Sequence, residues 1–213
     1  MNRKHIAVLF VALSPLIAQA GTVRSEVAKD LDDARQEVRT EMAQARVKLE
    51  TENLSLDGLN FGEEHRDEAT RRRNLPKGEI TPRGDLLIEG KAVAVDARQR
   101  RQLLDYRAQV IDIARTGINA GEQAAMLAIE ATDVSLFSLI AGGLTGSLER
   151  KVEATVQREI QPMVLKICHR LPQLRDSQQA LAASVPEFRP YATLDNDDVE
   201  NCERDLRKDM AAR

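Results

Sequence analysis

The chain has 213 residues, and 31 Lys and Arg stand against 34 Asp and Glu for a net charge of −3. This mild acidic excess argues against non-specific nucleic-acid binding, which needs a basic surface. With no Trp and only 3% aromatic residues, the chain also lacks the aromatic platforms on which sugars or bases stack. Ala, Leu, Glu, Gln and Arg dominate instead; these are helix formers, and they favour a mainly helical fold over a sandwich or barrel.

Residues 1–20 read as a secretory signal peptide. A basic start, Asn2-Arg3-Lys4-His5, precedes an apolar run from Ile6 to Leu13 that extends loosely to Ile17. Ala18-Gln19-Ala20 is a small-x-small cleavage site, and Gly21 is the expected first mature residue. The run is shorter than the roughly 20 residues of a comfortable bilayer span. Cleavage leaves 193 of the 213 residues and, with Arg3 and Lys4 removed, a net charge near −5. That length suits one domain with a real core or an elongated helical protein with a small one. No cysteine sits at the cleavage site to suggest a lipid anchor.

Residues 21–52 are expected to form a charged helical arm. Val23, Val27, Leu31, Ala34, Val38, Met42, Ala45 and Leu49 make a stripe that repeats every 11 residues through Val27, Val38 and Leu49. Such a stripe winds nearly straight or slightly right-handed. Three readings fit it: a coiled-coil arm that meets a partner protein, an amphipathic helix on a membrane, or a helix lying on its own chain. Ala and Val dominate the stripe, where a strong membrane binder would show bulkier Leu, Phe or Trp.

Residues 53–78 read as a charged linker. Within it Leu54 to Asn60 is a candidate strand, and Arg71-Arg72-Arg73 belongs to a mixed-charge loop rather than an anion site. Residues 79–213 are then a β-meander plus a helical domain. Short apolar runs around Ile80, Leu86, Ile88, Val93 and Val95 are separated by turns in which Gly84 and Gly90 supply positive φ. Arg83-Gly84-Asp85 spells the integrin tripeptide but reads as a turn.

Asp96 and Gln99 fit a capping box that opens a helix. Small residues line one edge of that helix, and Gly117 and Gly121, one turn apart, predict close packing against a segment holding Gly142, Gly143 and Gly146. Val134 to Leu148 carries no charge and reads as a buried helix followed by a turn, with a membrane-dipping segment as the other reading. A helix from Glu149 to Leu171 follows, with Pro162 as a possible kink. A helix from Gln173 to Val185, a proline-punctuated turn through Pro186 and Tyr191, and a last helix from Asp197 to Met210 complete the chain.

Cys168 and Cys202 lie 34 residues apart. They form no Cys-x-x-Cys motif, and the neighbouring His169 does not complete a zinc site. In an oxidising compartment the pair predicts a structural disulfide that pins the last helix, with Cα atoms within about 7 Å; a redox or metal-binding thiol pair is the alternative. Asp195 to Asp198 lacks the central Gly and distant Glu of a calcium loop and reads as helix capping.

Glu79-Ile-Thr-Pro-Arg-Gly-Asp-Leu-Leu-Ile-Glu-Gly-Lys91 resembles the signature block of the YggN-like family of exported proteobacterial proteins. The likeness continues through Tyr106, Ala114 and Gly121, then Cys168 with Leu171, Gln178-Gln-Ala-Leu-Ala182 and Phe188-Arg-Pro-Tyr191, and ends at Cys202. It covers roughly residues 75–205. The resemblance implies a periplasmic location and a domain without assigned activity, and it supplies no catalytic or binding residues.

The sequence thus predicts an α+β protein, mainly helical, with a small antiparallel meander. It has neither a nucleophile with its base nor a phosphate loop, and it implies no cofactor, metal or nucleic-acid partner. A structural or protein-interaction role in the cell envelope, with a partner met through the N-terminal helix, is the first expectation. A membrane-surface or lipid-binding role is the second, and a hydrolase the least favoured.

Overall fold

The computed structural model describes residues 16–57, 75–140 and 147–211. In chain order the elements are helix α1 (Leu16–Thr51), strands β1 (Leu54–Ser55), β2 (Gly78–Ile80), β3 (Leu86–Ile88) and β4 (Lys91–Ala92), and helices α2 (Ala97–Ile140), α3 (Ser147–Cys168) and α4 (Leu171–Ser184). A 3-10 helix (Pro186–Tyr191) and helix α5 (Asn196–Ala211) follow. The mainly helical fold with a small antiparallel sheet is the expected class.

The sheet is larger than the expected meander. Its order is β1-β2-β3-β4, all antiparallel, with Leu54 opposite Ile80, Ile80 opposite Leu86, and Ile88 opposite Lys91. The stretch around Leu54 therefore belongs to the sheet, and Leu56 just beyond it is buried in the core. Between β2 and β3, Thr81 Oγ1 accepts from the backbone N–H of Arg83 (3.2 Å) and Asp85 (3.0 Å). Gly84 has φ +79°, and a Cβ there would come within 2.8 Å of Leu104 Cγ, so the turn needs glycine for both conformation and space. The Asp85 carboxylate of this Arg-Gly-Asp turn is bound by Arg100 on α2, which holds it below its usual pKa. β3 and β4 are joined by Glu89 and Gly90, both with positive φ, as a two-residue hairpin requires.

The capping box at the start of α2 is reciprocal. Asp96 N–H donates to Gln99 Oε1, and Gln99 N–H donates to Asp96 Oδ1, both at 2.8 Å. The helix then runs for 44 residues, about 66 Å at 1.5 Å per residue. The stretch from Val134, expected as a separate helix, is continuous with it up to Ile140. α3 passes through Pro162 without ending. The reversal between α3 and α4 comes at His169 and Arg170, and Pro172 lies in the first turn of α4, where its missing N–H costs little.

One core gathers the sheet, the first half of α2, α4 and the 3-10 helix. Leu56, Ile80 and Leu86 from the sheet side meet Leu103, Tyr106, Val110 and Ile113 of α2, spaced at helical intervals. Leu171, Leu174 and Leu181 of α4 and Val185, Phe188, Tyr191 and Leu194 close it. Tyr106 and Phe188 pack edge to face, with centroids 5.4 Å apart, a favoured aromatic geometry. Beyond Ala120 the character changes. Among the described residues nothing in α1, in the rest of α2, or in α3 before Cys168 is fully buried. The molecule thus divides into a head and a helical arm, and α2 runs through both.

Candidate functional site

The arm joins the head at the C-terminal end of α1. The last carbonyls of a helix have no intrahelical partner, and the helix dipole concentrates negative charge there. Arg107 of α2, only 7% exposed, meets that need. Its Nη2 donates to the carbonyls of Leu49 (3.1 Å), Glu50 (3.0 Å) and Glu52 (2.8 Å), sharing its hydrogens among them. Burial lowers its pKa from the usual arginine value, yet a guanidinium stays charged in proteins. A cation thus caps α1 from within the wall of the head.

From this cap α1 runs back antiparallel along α2. Arg115 pairs with Glu50 at 2.5 Å. Arg46 donates to Asn119 Oδ1 from Nε (3.2 Å) and Nη2 (2.8 Å) and also binds Glu122. Farther out, Arg35 faces Asp133 at 3.5 Å. The half-buried positions Val27, Leu31, Ala34, Val38, Met42, Ala45 and Leu49 are those of the apolar stripe. Of the three readings of this helix, the structure shows the one in which it lies on its own chain. Its opposite face is exposed and largely polar or charged, and it carries Val47, a large apolar residue that is 61% exposed. On the other flank of α2, Gln123 donates to Glu159 of α3 at 3.1 Å.

A cleft of about 360 Å³ opens beside the cap, lined by residues that include Glu50, Leu104, Arg107, Ile111, Asp112 and Arg115. Arg115 pairs there with Glu50 and Asp112 with Arg170, while Arg107 binds the carbonyls at the end of α1. These contacts fix the join. His169 Nε2 faces Glu203 at 3.2 Å on the exposed side of α5. Among the described residues no three His, Cys, Asp or Glu come together as a metal site, and no helix is long and apolar enough to cross a membrane.

Cys168 and Cys202 form the expected disulfide, with Cα atoms 5.6 Å apart, and it ties α5 to the end of α3. Asp195 and Asp198 cap α5 reciprocally: Asp198 N–H donates to Asp195 Oδ1 (2.9 Å), and Asp195 N–H to Asp198 Oδ2 (3.1 Å). The expected glycine seam is not shown among the described residues. Gly117 and Gly121 are exposed, and a Cβ on either would meet no described atom within 4 Å. Their stripe lies where α2 leaves the head, and no described backbone approaches it. Gly142, Gly143 and Gly146, like His65 and Arg71 to Arg73, lie outside the described residues. Ala18, Ala20 and Gly21 fall within the first turns of α1.

Two residues that matter most here carry no signal in the sequence pattern. Arg107 sits among apolar helix positions as one arginine among many. Gln178, 1% exposed, is buried in the core. It donates to Tyr106 Oη (3.2 Å) and to the Tyr191 carbonyl (3.3 Å), and it accepts from Leu194 N–H (2.8 Å). Tyr191 Oη in turn donates to the Pro76 carbonyl at 2.6 Å, and its ring lies where a Cβ on Gly78 would be. This network knits α2, α4, the 3-10 helix and the sheet, and each member is satisfied, as a buried polar group must be. No family model, no curated protein and no solved structure matches the chain.

Proposed function

We propose that this is an exported protein of the bacterial periplasm that acts in the envelope through protein contacts along its arm rather than by catalysis. The observation that carries this reading is the Cys168–Cys202 disulfide, since such bonds persist in oxidising compartments. It agrees with the signal-like residues 1–20 and with the resemblance of residues 75–205 to YggN-like proteins. Support for a contact role comes from the arm itself. A helix fastened to the head by a buried arginine presents a long polar face to solvent, and Val47 is a large apolar side chain left exposed on it.

The test has two steps. N-terminal sequencing of the protein recovered from the periplasmic fraction is expected to start at Gly21; a chain retained in the cytosol with residues 1–20 attached overturns the location. A photo-crosslinking residue at Val47 is then expected to capture one specific protein in intact cells. Capture of nothing, together with flotation of the purified protein on liposomes, would favour the lipid-surface reading instead.

A further inference from the structure

Helix α5 is held differently from every other described part of the head. Nine of its sixteen residues are charged. Among the described residues of α5 only Val199 and Cys202 pack against the apolar core, and both are half-buried. None of the fully buried core side chains, Tyr106, Leu181 and Phe188 among them, belongs to it. Its ties to other elements include Asn196 accepting from Arg175, and Glu203 facing His169 on the surface. The chain is already anchored ahead of α5, where Leu194 is buried and its N–H is bound by Gln178. The fully buried core is therefore built without α5, and the disulfide is the one crosslink that holds α5 to the rest beyond the main chain itself.

The two cysteines are unequally exposed. Cys168, at the end of α3, is 2% exposed, whereas Cys202 on α5 is half-buried. Thiol–disulfide exchange begins with thiolate attack on one sulfur, and access decides which. We propose that the Cys168–Cys202 bond is a redox latch, opened by a dithiol reductant to release α5 while the head stays folded. A thiolate of the reductant attacks Cys202 Sγ; the Cys202–Cys168 bond breaks, and Cys168 leaves as a thiolate that takes up a proton. The second thiol of the reductant then displaces Cys202 from the mixed disulfide. The dithiol is oxidised by two electrons to its own disulfide, and two protein thiols are formed. A released helix of sixteen residues is marginal in water, so α5 melts and Cys168 is uncovered at the end of α3.

The experiment is hydrogen–deuterium exchange on the purified full chain, folded and oxidised, before and after addition of dithiothreitol without denaturant. Exchange across residues 196–211 is expected to quicken at least tenfold, and trypsin to gain cleavage after Arg204, Arg207 and Lys208. Residues 97–116 are expected to keep their protection, and reoxidation to restore the first state. A Cys202→Ser variant is expected to show the reduced pattern with no reductant present. Unchanged exchange in 196–211 after reduction overturns the proposal, as does a bond that resists dithiothreitol in the folded protein. Loss of protection in 97–116 as well overturns it too, since the bond is then a crosslink holding the whole fold.

Discussion

The head and the arm are built on opposite principles, although one helix belongs to both. The head closes by exclusion of water: Leu103, Tyr106, Leu174, Leu181 and Phe188 are all at most 1% exposed, and Gln178 binds Tyr106 and Leu194 within it. The arm closes by registration. Its apolar stripe is mostly Val and Ala with Leu31, Met42 and Leu49 and is only half-buried, and arginines at positions 35, 46, 107 and 115 fix where α1 lies on α2. Burial stabilises by about 25 cal/mol per Å² of apolar surface, whereas exposed ion pairs contribute about 0–1 kcal/mol each. The head is therefore expected to set global stability, and the arm to open locally below it.

The strongest way to break this contrast is Phe188→Ala. It removes the ring that packs edge to face on Tyr106 and should cost about 3–5 kcal/mol, read as the midpoint of urea unfolding; a cost no larger than that of an arm substitution would end the distinction. Alkaline titration comes next. Burial pushes Tyr106 from its ordinary 10.0 up to about 12. The folded state therefore holds its proton where the unfolded chain has lost it. Stability from the neutral phenol is complete below pH 10 and is lost as pH rises toward about 12, by roughly 3 kcal/mol. Unfolding curves from pH 8 to 12 should show this loss for the natural protein and much less of it for Tyr106→Phe.

Arg107→Ala sharpens the contrast at the join. Leaving the end of α1 uncapped should cost about 1–2 kcal/mol, confined to the arm. Amide exchange in residues 44–52 is expected to rise about tenfold while residues 97–106 keep their protection; equal losses in both would make head and arm one cooperative unit. The smallest effect belongs to Arg46→Ala, which removes the contacts to Asn119 and Glu122. Its side chain is about one-third exposed, so a change under about 1 kcal/mol is expected, visible as modestly faster exchange in α1 at an unchanged melting temperature.

Local rules carried the sequence reading well where the structure is local. The stripe from Val27 to Leu49 marks the inward face of α1, Asp96 and Gln99 cap α2 as their spacing predicts, Gly84 and Gly90 take positive φ, and Cys168 bonds Cys202. What escaped is non-local. β1 finds β2 across more than twenty residues, a pairing that no local pattern encodes. Gln178 looks like a surface residue of α4 until Tyr106, Tyr191 and Leu194 converge on it. Arg107 differs from its neighbouring arginines only in what stands opposite. The glycine stripe has the same limit: spacing shows that two small residues share a face, but not what approaches it.

Those glycines have a mechanical consequence. Gly in a helix interior is about 1 kcal/mol less favourable than Ala, and at Gly117 and Gly121 no described side chain packs alongside to offset it. They sit within one turn on either side of Ala120, the last fully buried residue among those described in α2. The long rod is thus softest at the point where it emerges, so a load applied at the far end would be taken up as flexure at its root and leave the aromatic core undisturbed.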